Sequence, residues 1–74
     1  MTTKAAKIAE IVANIENTIE GKVKLGDTLS QRLDSYKSQN RLETLEASIA
    51  SMLLSVTLLN IAELRAILAD VKNI

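Results

Sequence analysis

Between Ala47 and Ala62 the chain runs for 16 residues without one ionisable side chain. Its residue types and spacing read as helix, and the apolar side chains fall on more than one side of it. A surface helix normally sets one apolar stripe against a charged face. A helix with no charged face is covered on several sides. A chain of 74 residues has little left over to provide that cover. The run therefore predicts self-association or a protein partner.

Composition removes the other ways a small chain compensates for a thin core, which are disulfides and structural metals. There is no cysteine and no histidine. Disulfides and thiolate metal sites are excluded, and the commonest metal ligand and general base are missing. Serines have no His or Cys to form a nucleophile–base pair, and Tyr36, the one aromatic residue, falls on an apolar stripe. The chain reads as non-enzymatic, with no cofactor and no metal. Nine basic residues balance nine acidic ones. Without a basic face or stacking groups, nucleic acid is not an expected partner. Glu10 and Glu16 interrupt the apolar residues behind Lys4 and Lys7, so no signal peptide is expected, and the expected location is cytoplasmic.

Proline is absent, and Gly21 and Gly26 are the only glycines. The expected fold is a single all-α domain over 1–74. It is a small hairpin or bundle of two long helices and one short one, forming an obligate helical oligomer. The first helix is expected over about 3–20. It has a stripe of Ile8, Ile11, Val12, Ile15 and Ile19, a cap from Thr2 or Thr3, and a stop at Gly21. Val23 continues the stripe, so an end near Lys24 with Gly26 as terminator is an alternative. A second helix over about 28–38 opens on the capping-box spacing Thr28 to Gln31, with Leu25, Leu29, Leu33 and Tyr36 as a narrow line. A break is expected near Ser38–Arg41, where Asn40 and Glu43 repeat the capping-box spacing; a continuous bent helix is the alternative.

The third helix, over about 41–72, holds the heptad line Leu42, Leu45, Ile49, Met52, Val56 and Leu59. The line fails at Glu63 and Asp70. Leu54, Leu58, Ile61 and Leu68 form a second line, with Leu53, Leu64, Ile67 and Val71 between the two. Small residues (Ser48, Ser51, Ser55, Ala62, Ala66 and Ala69) fill the remaining arc. The predicted interface with a second copy or a partner is Ile49, Met52, Leu54, Val56, Leu58, Leu59, Ile61 and Leu68. An intramolecular hairpin seam accounts for the heptad line but leaves the second line unexplained. A membrane is disfavoured: five of the 16 uncharged residues are Ser, Thr or Asn, and the flanks carry no basic excess.

Three lesser sites follow. Glu63 and Asp70 interrupt the seam and are expected to meet a basic group or fix register. Asn60, among Leu58, Leu59 and Ile61, is a candidate for specifying register or partner number. Lys22 and Lys24, in a glycine-bounded connector before a helix start, are a weak candidate for holding an anion. Arg41 and Glu46 flank the heptad and could pair across a parallel interface. The function expected is an association module, a small assembly, adaptor or regulatory protein acting through the third helix. An oligomer that sequesters a small anionic ligand between subunits is the second reading, and a peripheral membrane protein is the third.

Overall fold

The structure, a computed structural model, describes residues 3–73. It holds two helices that pack side by side, α1 (Lys4–Ser38) and α2 (Leu45–Lys72). Thr3 caps α1: the Ala6 N–H donates to its Oγ1 at 3.1 Å. The alternative cap, Thr2, lies outside the described residues.

The expected division of the first 38 residues into two helices is corrected. α1 runs unbroken through Gly21 and Gly26, neither of which has a positive φ. Thr28 does not cap a helix. Its Oγ1 donates back to the Lys24 carbonyl at 3.1 Å, the bond a hydroxyl makes in a helix interior. What overrides two interior glycines is a heptad line that crosses both: Ile8, Val12, Ile15, Ile19, Lys22, Gly26, Leu29, Leu33 and Tyr36 are all half-buried or buried. Each glycine costs the helix about 1 kcal/mol relative to alanine. The packed side chains on either side of the glycines offset that loss.

The break expected near Ser38–Arg41 is present, with different chemistry. Asn40 adopts the left-handed conformation at φ 55°. The Arg41 N–H reaches back to the Tyr36 carbonyl at 2.8 Å, and the Asn40 N–H to that of Lys37 at 3.1 Å. This pair of bonds is the Schellman closure of a helix, with Asn in the place glycine usually takes. Asn40 therefore ends α1 and does not start the next helix. Thr44 is the cap of α2: its Oγ1 accepts from the Ala47 N–H at 3.3 Å and donates to the Arg41 carbonyl at 2.8 Å. Consequently α2 begins four residues later than the sequence suggests, and Arg41 and Leu42 belong to the connector.

The two helices meet along one seam. On α2 it comprises Ala47, Ala50, Leu54, Thr57, Ile61, Leu64, Leu68 and Val71, an unbroken alternation of three- and four-residue steps. An ideal Cβ on Gly26 lies 3.9 Å from Leu54 Cδ1 and from Thr57 Cγ2, which fixes the register. Facing Gly26 with Thr57 also sets Leu29 opposite Leu54, Leu33 opposite Ala50 and Tyr36 opposite Ala47. Leu33 and Tyr36 thus meet alanines, which lets the axes approach closely near the turn. Leu29, Ala47, Ala50 and Ile61 are the buried apolar residues. Thr57 is buried with its hydroxyl donated to the Leu53 carbonyl at 2.7 Å.

The hairpin measures 57 × 16 × 14 Å, with a radius of gyration of 16.9 Å. A compact domain of this length has a radius of about 11 Å. The chain exposes 5649 Å², where a compact monomer of its mass exposes roughly 4,500 Å². The excess follows from the rod shape, and most of the large apolar side chains in it are on α2.

Candidate functional site

The heptad line read from the sequence does not form the contact between the two helices. Of its helical members, Leu45, Met52, Val56 and Leu59 lie in a row on the side of α2 turned away from α1, while Ile49, at the edge of the row, also borders with Leu53 a groove that Leu29, Arg32 and Tyr36 of α1 line. At about 100° per residue, the centre of this row is about 140° around the helix from the centre of the seam. Leu45 is 73% exposed, Met52 67% and Leu59 63%; Leu53 joins the row from one side, and Leu42 extends it into the connector. No ionisable residue lies within the row between Ala47 and Ala62.

The eight expected interface residues are divided by the fold. Ile49, Met52, Val56 and Leu59 are on the outer row. Leu54, Ile61 and Leu68 are on the seam with α1, where Ile61 is buried and Leu54 and Leu68 are half-buried. Leu58 is exposed at 56% beside the seam, lining with Leu54, Ile61 and Arg65 a groove closed on the α1 side by Val23, Gly26, Asp27 and Ser30. The second line of the sequence is thus the intramolecular one, and the heptad line is the surplus. Sequence reasoning missed Ala47, Ala50 and Thr57 because it sought large aliphatic side chains. Extending Leu54, Ile61 and Leu68 backward in steps of three and four reaches all three.

Glu63 and Asp70 are exposed and have no salt-bridge partner among the described residues. They stand where the outer row would continue. Asn60 is half-buried on the arc between the outer row and the seam. Lys24 is paired with Glu20 at 3.5 Å within α1, and Lys22 is a half-buried seam residue. The anion site loses its physical basis, because Gly21–Gly26 is mid-helix and its backbone N–H groups bond within α1 instead of facing a ligand. Arg41 lies outside α2, with its guanidinium carbon 5.8 Å from the Tyr36 ring centroid, so it is not a helical flank of the heptad. Among the described residues there is no acidic, His or Cys cluster with the makings of a metal site.

By length and composition, α2 is also long and apolar enough to cross a membrane, and little of it is buried. No protein-family model, curated protein or solved structure matches the chain.

Proposed function

We propose that this protein is a non-enzymatic association module whose outer α2 face binds another protein surface, most simply a second copy of itself. One observation carries this reading. Six large apolar side chains, Leu45, Ile49, Met52, Leu53, Val56 and Leu59, form one uncharged row that the hairpin leaves in water. Contiguous apolar patches above a few hundred Å² mark interaction sites in monomeric proteins. At about 100 Å² per side chain, the row exposes on the order of 600 Å².

The membrane reading draws on the length and apolar character of α2. Against it stands α1, whose Lys24, Asp27 and Arg32 are exposed along the same rod. Inserting α2 while it remains packed on α1 would carry those charges into hydrocarbon at a cost of several kcal/mol.

The test is the double variant Met52→Glu/Val56→Glu, followed by size-exclusion chromatography with light scattering. Both side chains are exposed in the single hairpin, so helicity by circular dichroism is expected to persist while the mass falls to that of one chain. Wild-type protein that is already a single chain, or a variant that associates unchanged, overturns self-association through this row. Sedimentation of wild-type protein with phosphatidylcholine and phosphatidylglycerol vesicles separates the membrane reading; pelleting with either supports it.

A further inference from the structure

Resting on the association reading, we infer that the occupant of the outer row is a second copy lying antiparallel, with a two-fold axis passing between Ala50 and Ser51.

The spacing of the row admits an antiparallel isologous contact, and the charges beyond the row select it over a parallel one. Leu42, Leu45, Ile49, Met52, Val56 and Leu59 step by three, four, three, four, three, a sequence that is the same read from either end. A two-fold between Ala50 and Ser51 therefore sets Leu45 on Val56 of the partner subunit and Ile49 on Met52 of the partner subunit. Leu59 meets Leu42 of the partner subunit in the connector. Every member of the row finds an apolar counterpart, as an isologous contact requires.

Charge disfavours the parallel alternative. In a parallel in-register pair the seam continues to Glu63 and Asp70, and each carboxylate faces its own copy at a core position. Both are exposed and without a salt-bridge partner among the described residues. Like charges opposed in this way disfavour the pairing. In the antiparallel arrangement the partner's α2 has already ended at Leu45 when Glu63 is reached. Both carboxylates then project past the partner's turn into water. The uncharged part of the row is thus confined to the stretch over which two antiparallel copies overlap.

Area is sufficient. Covering the row on both copies removes on the order of 1,200 Å² from water, the lower edge of the standard range for specific protein interfaces. The α1 helices lie on the opposite faces, so the product is a four-helix layer with the two α2 helices at its centre.

The experiment uses the absence of native cysteine. Ser48→Cys and Ala69→Cys, both at exposed positions, are spin-labelled singly in the full chain. Inter-label distances are then measured by double electron–electron resonance after light scattering has fixed the mass. At 1.5 Å rise per residue, the Ala69→Cys labels are expected to lie about 55 Å apart along the axis and the Ser48→Cys labels under about 20 Å apart. A dimer with short distances at both sites is parallel and overturns the inferred orientation, leaving self-association intact. A dimer with long distances at both sites uses another surface and overturns it as well. A single chain by light scattering removes self-association itself.

Discussion

At the scale of single residues, Gly26 is the position where the two helices come closest to a missing side chain. A Cβ there meets Leu54 and Thr57 at 3.9 Å, ordinary van der Waals distance. Gly26→Ala is therefore expected to stabilise the hairpin by about 1 kcal/mol, the helix-propensity difference, without displacing α2. Urea denaturation read by circular dichroism measures it. A loss of stability would mean that the seam needs its glycine for close approach. Asn40 works in the other direction. Asparagine enters the left-handed region at less cost than most residues, and the two returning N–H groups of the Schellman closure anchor it there. Thr28 and Thr44 show how one residue type divides by context. The first is inside a helix and donates to the carbonyl four residues back, while the second precedes one and accepts from the N–H three residues on.

At the scale of elements, what the sequence made legible was the period. The Ile8–Ile19 stripe, the break near Asn40 and the end of the final helix near Lys72 can all be read from it. Two things were not legible. The glycines mark helix ends in isolation, yet here Leu29, Leu33 and Tyr36 continue the phase of Ile15 and Ile19, and packing along that phase outweighs two local penalties. The other was which of two apolar lines faces inward. Side-chain size favours the heptad line, and geometry favours the line with Ala47, Ala50 and Thr57, because small residues let the turn-proximal ends approach. The seam is one residue-layer thick. Leu29, 5% exposed, is its best-covered large side chain. Leu29→Ala is expected to cost about 2–3 kcal/mol, at the low end for buried leucine because an open seam collapses around a void more readily than a closed core. Thermal melts followed at 222 nm check it, and a change under 0.5 kcal/mol would show that the seam does not hold the helices together.

At the scale of the whole molecule, two helices joined once make a rod that buries one side of each and leaves α2 with a second apolar side. A fold with so little interior has little stability of its own, so pairing through the proposed row would add directly to it. If the outer rows pair, each tenfold rise in protein concentration adds about 1.4 kcal/mol to the stability of the coupled dimer. The melting temperature is then expected to climb over a dilution series, and an invariant midpoint would uncouple folding from pairing.

The single reversal at Asn40 also orders events in time. Every rung of the seam is separated by a different contour length, shortest between Tyr36 and Ala47 and longest between Val12 and Val71. Closing the short rung first leaves each later one a small additional search, so the hairpin is expected to zip outward from its bend and to fray inward from its free tips.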